Sequence, residues 1–412
     1  MAVVVASPAR TGAVFSAFLG YGVLWGPYLA TLPEVRQAAG ASHAQLGVAM
    51  LLGALTAIPA MAGVGRLLDR FGRPVVVAAM LLFVVVAPLP PLAGSVPALM
   101  VAVALFGFGS GACNVALVAL AATAEADLGR PVMNRAHALF SVGLLGGSLV
   151  TGAALAMGLT GQLVAVAMAA AFAASMFWTN GGIPHQFAAR RREPRRPVRH
   201  TRVAALICLL AALATLVESG VQQWSAVFLA DTVGVAAALA AAAPGLFAAA
   251  MAAGRFAGHW LSSRISERTI LLLSGSLAGT GVLMLASAAG PESGLAATAL
   301  VGAAISVVTP TSYGIAGRDA TPDERGSMIG SVASLASLGL LGPAAVGQVA
   351  SWTNPRTAIA VLAVVAVAIC LLASRIPVRG PRSTPGDRRD DPGPSSRSDG
   401  AREKLREKSD VV

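Results

Sequence analysis

Apolar residues fall in long, nearly uninterrupted runs along this chain, not in the one-faced or alternating patterns of a soluble protein. Twelve of the runs are long enough, at 1.5 Å rise per helical residue, to cross a hydrocarbon layer about 30 Å thick. They cover 12–33, 45–65, 74–93, 97–121, 136–158, 161–181, 203–224, 236–257, 268–289, 294–316, 327–349 and 355–375, numbered here helices 1 to 12. Without water, backbone groups must pair inside each segment, which a helix achieves; a barrel would need short alternating strands. The polar breaks are short except for two. Residues 182–202, with RRREPRRPVR at 190–199, form a basic, Pro-containing linker between helices 6 and 7. Residues 376–412 mix Pro, Gly, Ser and charge and are too poor in apolar residues to bury a core. The pattern predicts four parts: a six-helix bundle in 1–181, the cytoplasmic linker 182–202, a second six-helix bundle in 203–375 and a disordered cytoplasmic tail, 376–412. Arg10 precedes the first run, but no small-residue cleavage site leads from it into a soluble chain, so that run is expected to be retained.

The halves are related. SVGLLGG at 141–147 recurs as SLGLLGP at 337–343, and GVLWGPYLA at 22–30 is echoed by GVQQWSAVFLA at 220–230. GHWLSSRIS at 258–266, after helix 8, weakly matches the stretch after helix 2. The offsets agree within a few residues, which indicates duplication of a six-helix unit. An even helix number keeps both copies in the same orientation, as in carriers that rock two bundles about a central site.

Composition agrees with a membrane protein: of 412 residues 56% are hydrophobic and only 12% charged, about half the charged share of a soluble domain. The net charge of +11 could suggest nucleic acid, but its distribution argues otherwise. If the spans alternate with both termini inside, 28 of the 30 Lys and Arg lie on the inner side, and Arg36 and Arg356 alone lie outside. That is the asymmetry of the positive-inside rule, so the chain is expected in the cytoplasmic membrane with both termini cytoplasmic. Anionic lipid is a secondary partner for 190–199 beside the simpler reading of a solvated loop. Cys113, Cys208 and Cys370 all fall inside spans, where they serve as small apolar residues and offer no disulfide or metal-ligand spacing.

GVGRLLDRFGRPVVV (63–77) packs Arg66, Asp69, Arg70 and Arg73 between two apolar runs. It resembles the cytoplasmic 2–3 loop signature of the major facilitator superfamily, G-x-L-x-D-R-x-G-R-[RK], at Gly65, Leu67, Asp69, Arg70, Gly72 and Arg73. Leu68 replaces a usually small residue and Pro74 the last basic one. The resemblance implies an all-α membrane fold of twelve helices in two pseudo-symmetric bundles. It also implies a cytoplasmic gate in which Asp69 meets helix 11 when the protein faces outward. Physically, Gly65 permits close helix approach, and a carboxylate at Asp69 suits a basic neighbour or a helix N-terminus. A generic positive-inside turn is the plainer alternative. Further stretches, LPEVRQAAGASHAQLGVAML (32–51), CNVALVALAATAEADLGRPVMNRAHALFSVGLLGG (113–147), ESGVQQWSAVFLADTVG (218–234) and TSYGIAGR (311–318), resemble uncharacterised bacterial inner-membrane permeases of the YbjJ type. Where those tend to carry Asp-Trp in helix 7, this chain has Gln223-Trp224. Helix 4 lacks the Arg of many proton-coupled members, and helix 5 lacks the Gly-Pro of drug/proton antiporters; Gly342-Pro343 stands in helix 11 instead.

In the fold so implied, helices 1, 4, 7 and 10 bound the central cavity. Polar or aromatic residues three or four apart share a helix face there. Candidates are Tyr21, Trp25 and Tyr28; Ser110 and Asn114; Glu218, Gln222 and Ser225; and Ser306, Thr309 and Tyr313. Packing, an interfacial belt or ordinary interhelical hydrogen bonds are the plainer readings for the aromatics and hydroxyls. Asn114, Gln222 and Gln223 are suited to hydrogen-bonding a polar solute, with Trp25 and Trp224 stacking on a ring. Glu218 is the acidic residue set well inside a span, where a charge costs several kcal/mol unless it faces water. It is the candidate for proton coupling or substrate binding; a permanently neutral acid bonded to Gln222 is the alternative. His137 and His259 read as interfacial.

An enzyme would need clustered His, Asp or Cys. The five His residues are scattered. A phosphate-binding loop needs Lys, and only Lys404 and Lys408 exist, in the tail. The expectation is a gradient-driven carrier without cofactor or metal, working as a monomer on a small organic solute with protons as coupling ion. A non-transporting scaffold or receptor is the competing reading.

Overall fold

The computed structural model describes residues 8–129, 132–183, 202–321 and 324–377. The predicted linker and tail fall almost wholly outside the described residues. Among those residues eleven helices are long and apolar enough to span a membrane, and a shorter apolar helix, Gly161–Phe177, stands where helix 6 is predicted. No strand occurs among them.

Helix 1 is Pro8–Ala30, followed by the short helix Leu32–Ala38. Helix 2, His43–Phe71, starts on a capping box in which Ser42 and Gln45 satisfy each other's backbone N–H groups. It runs past its predicted end at 65, so the expected 2–3 loop shrinks to Gly72. At φ +65° and ψ −128° Gly72 occupies a conformation that L side chains resist, and helix 3, Arg73–Val86, begins at once. The charged quartet is therefore the end of one helix and the start of the next. Helix 4 is Val96–Leu128, helix 5 Met133–Ala156 and helix 6 Gly161–Thr179.

Helix 7, Arg202–Phe228, continues as a π-turn, Leu229–Val233, and stops at Gly234. Helix 8 is Ala243–Leu261 and helix 9 Glu267–Ala286. Two prolines break the helices that follow, because each removes an N–H and crowds the carbonyl four residues back. Helix 10 splits into Pro291–Ile305 and Val308–Asp319, four residues ahead of Pro310. Helix 11 splits into Arg325–Ala336 and Gly342–Trp352 around the 3-10 stretch Ser337–Leu341, where Pro343 frees the Gly339 carbonyl. Ser219 Oγ of helix 7 donates to that carbonyl at 2.9 Å, so the broken ladder is satisfied from a neighbour. Helix 12 is Pro355–Ala373.

Equivalent helices pack alike in the two halves. Helix 1 lies on helix 5 as helix 7 lies on helix 11, and helix 2 on helix 4 as helix 8 on helix 10. The recurring SVGLLGG motif sits in these contacts. A Cβ on Gly143 would fall 2.1 Å from Leu19 O, and one on its repeat partner Gly339 2.5 Å from Ala212 O. The repeat is legible there because only hydrogen fits.

Candidate functional site

The halves meet along two seams, helix 2 on helix 11 and helix 5 on helix 8. At the end carrying Ser42 both seams are shut. A Cβ on Gly347 would lie 2.6 Å from His43 O and 2.9 Å from Gly47 Cα. One on Gly245 would lie 2.9 Å from Leu145 Cα, and one on Gly152 2.4 Å from Ala238 O. The Trp224 ring abuts the same contact, 3.0 Å from the Gly347 position and 5.8 Å from the His43 ring. Beyond it, Arg36 Nε donates to Asp231 Oδ2 at 2.8 Å and Gln37 Nε2 to Oδ1 at 3.0 Å, joining the halves. The Asp231 side chain is 7% exposed. Breaking a pair so sheltered costs more than breaking a surface pair, because the survivor stays desolvated.

The opposite end, carrying Asp69, differs. A Cβ on Gly63 or Gly65 would meet nothing within 4 Å, and Arg66, Asp69 and Arg70 are exposed. Among the described residues Asp69 makes no hydrogen bond or ion pair; Arg70 stacks over the adjacent Phe71 ring at 5.1 Å. Gly72 is buried in its turn and Arg73 half-buried. These residues thus lie together, but a Cβ on Gly65 would meet nothing within 4 Å, and among the described residues Asp69 pairs with no group of helix 11.

The remaining candidates divide by helix face. Tyr21 is buried, its hydroxyl sharing a 2.8 Å hydrogen bond with Ser110 Oγ and its ring lying against Phe83 and Phe140. Trp25 is half-buried, edge-on to Phe106 and Tyr28, and its Nε1 has no hydrogen-bond partner among the described residues. Tyr28 stacks on Phe106 at 4.0 Å and belongs to packing. Asn114, Gln222, Gln223 and Tyr313 are half-buried, and no side-chain hydrogen bond holds them among the described residues. Glu218 is half-buried and makes no hydrogen bond there either, to Gln222 or any other group; the basic charge that reaches it is Arg255 of helix 8. Trp224 departs from the expected cavity lining. It is 2% exposed, and its Nε1 donates to Pro343 O at 2.9 Å. Its ring is thus held against the second segment of helix 11.

Two residues escaped the sequence analysis. Asp231 sits in the π-turn that prolongs helix 7 and pairs with Arg36, which follows helix 1; the signal was an acid and a base just beyond repeat-equivalent helices. Arg255 falls within the predicted span 236–257 but enters there only as one of the inner-side charges; it is inside helix 8. It shares a face with Pro244, Ala248 and Met251, all buried, yet is itself exposed. On helix 5, Ser148, Leu144 and Ser141 are buried while His137 on the same face is exposed, its ring 5.2 Å from Phe18. On both helices the buried face thus becomes exposed at these two residues. Among the described residues no three His, Cys, Asp or Glu side chains gather as metal ligands.

Comparison with known proteins gives a consistent picture. The family model described as Major Facilitator Superfamily matches residues 12–340. A relative described as an uncharacterized transporter, y4wD of Sinorhizobium fredii, is 30% identical over 369 residues, covering 87% of this chain and 96% of its own. A point-mutant crystal structure of the nucleoside transporter NupG superposes with a TM-score of 0.76 at 13% identity, covering 89% of this chain and 99% of that one. A bacterial homologue of the human lysosomal transporter Spinster, solved inward-facing and occupied, gives 0.67 at 17% identity, with 90% and 97% covered. At such identities these structures show the fold alone: twelve helices in two pseudo-symmetric bundles.

Proposed function

The chain belongs to the Major Facilitator Superfamily, and on that premise we propose that it is a secondary active carrier moving a small organic solute across the cytoplasmic membrane by alternating access. The two bundles, 1–181 and 203–375, rock about the gap between them, with the linker 182–202 joining them and both termini in the cytoplasm. The excess of Lys and Arg supports this orientation, with the Asp69 end inward and the Ser42 end outward. The observation that carries the reading is the asymmetry of the seams, sealed through glycines and the Arg36–Asp231 pair at one end and parted at the other. Such a shape is one of the two states alternating access needs. In the other, Asp69 and its neighbours close against helix 11 while the Ser42 end opens.

Glu218 is the proton-coupling residue in this account. Its half-buried carboxyl has no hydrogen-bond partner among the described residues to fix one protonation state, and it lies midway along helix 7. Asn114, Gln222, Gln223, Trp25 and Tyr313 are proposed to line the solute's path, and a monomer suffices because both bundles lie in one chain. The test starts with a ligand screen by thermal shift on purified protein, followed by flux into proteoliposomes across an imposed pH gradient. The carrier reading predicts saturable flux of a stabilising solute driven by the gradient and, in Glu218→Gln, flux that no longer follows it. Flux indifferent to the gradient in both proteins removes the proton role, and no flux of any stabilising solute removes the carrier.

A further inference from the structure

Arg255 is an arginine within a membrane-spanning helix, exposed, and without a hydrogen bond or ion pair among the described residues. A guanidinium cannot shed its proton at working pH, so its charge must be met by water or by a ligand. Three observations place it in the gap between the bundles and not against lipid. It continues the 4-3-4 face of Pro244, Ala248 and Met251, a buried face that lies between the side of helix 8 resting on helix 5 at Gly245 and the side resting on helix 10 at Gly254. Helices 5 and 8 are antiparallel, and Gly245 rests on Leu145 and Ser148; ten residues, about 15 Å, further along helix 8 is Arg255, and the same distance back along helix 5 is the turn holding His137. Its charge reaches both His137 and Glu218. The charge of one residue on helix 8 thus acts on a histidine of helix 5 and a carboxyl of helix 7, near the mouth of the seam.

Within the spans, clear of their ends, Arg255 and Glu218 are the charged side chains on helices 5, 7 and 8. They are unequal. Glu218 can be neutralised by a proton, whereas Arg255 is permanently charged, so once Glu218 is protonated the fixed charge in this space is positive. Resting on the carrier reading above, we propose that Arg255 is the docking residue for the negative group of the substrate, which is a small organic carboxylate. The planar guanidinium matches a carboxylate through two parallel N–H donors. His137 flanks the same mouth. The substrate carboxylate takes the place of the Glu218 carboxylate as the counter-charge of Arg255, and Glu218, so released, accepts a hydronium proton that enters the gap from the adjoining solution.

The experiment uses the full chain in proteoliposomes and detergent at one pH, with a panel of small aliphatic and aromatic carboxylates, each beside its amide and its amine. Carboxylates are expected to raise the melting temperature and to be taken up, while their amides and amines do neither. Arg255→Gln should weaken carboxylate binding about 10- to 100-fold, the scale of a lost charge-assisted hydrogen bond, and Arg255→Lys, which keeps the charge but loses the paired donors, should recover only part of it. Equal protection by amides or amines, no protection by any carboxylate, or unchanged carboxylate binding in Arg255→Gln each overturns the site. The wild-type panel decides even if a variant fails to fold. Flux of neutral or cationic solutes independent of Arg255 removes the anion site and leaves the carrier. Carboxylate binding through Arg255 without flux of any solute does the reverse.

Discussion

The two ends of the molecule use the same residue type to opposite effect. At the Ser42 end, glycines 47, 152, 245 and 347 let backbone meet backbone across the halves, and the Arg36–Asp231 pair closes over them. At the Asp69 end, glycines 63 and 65 face open space and Asp69 has no partner among the described residues. A glycine in close contact and one facing open space look alike in sequence; only the packing around them tells them apart. Alternating access supposes that the two ends exchange these roles.

Filling a glycine sharpens the contrast most. Gly347→Val puts carbon where His43 O and the Gly47 Cα already stand, and neither backbone can yield. The Ser42 end should then be unable to shut, and transport should fall more than tenfold. Gly65→Val meets no atom in this conformation, so it should leave the melting temperature unchanged and impair only closure of the Asp69 end, seen as lost transport by a protein that folds normally.

Breaking the ion pair is the next largest perturbation. Arg36→Gln or Asp231→Asn should favour opening of the Ser42 end by about 1.5–3 kcal/mol, roughly 10- to 150-fold in population. Labelling a single cysteine at Gln222 or Gln223 with a membrane-impermeant reagent from outside would read this, and the exchanged pair Arg36→Asp with Asp231→Arg should restore slow labelling. Asp69→Asn acts at the other end. It should reduce transport several-fold while insertion and melting temperature stay as in the wild type; undiminished transport would refute the latch role of Asp69.

The smallest effect belongs to Glu34, beside the seal but within the first half. Burial raises its carboxyl above the ordinary range, only partly offset by the hydrogen bond it accepts from Gly161 N. The folded state therefore holds this proton more tightly than the unfolded chain, so the contribution of Glu34 to stability is greatest in acid and is lost as pH rises through its folded pKa. Glu34→Gln should give a slightly higher melting temperature at neutral pH and no gain in acid.

Much of this architecture was legible in the chain because hydrocarbon imposes few choices. Run length set the twelve spans, and the SVGLLGG repeat marked the glycine contacts that pair helices 1 with 5 and 7 with 11. The ends of elements were harder to read. Charged residues 66–73 look like a loop by polarity, yet polar side chains at the membrane edge extend a helix until Gly72 turns it. Trp224 shares its helix with Gln222 and Gln223, and nothing local shows that Pro343, 119 residues later, turns a carbonyl toward its ring. Asn114, Gln222, Gln223 and Tyr313 stand half-buried without side-chain hydrogen bonds among the described residues.

The central claim, that the two ends open in alternation, is tested most directly by paired distance measurements on one reconstituted protein. Spin labels at Ala38 and Ala236 report the Ser42 end, and labels at Arg135 and His259 report the Asp69 end. The account predicts a short distance at the first pair with a long one at the second, reversing together in Asp231→Asn. Both distances lengthening together, or the first lengthening while the second stays fixed, would contradict it.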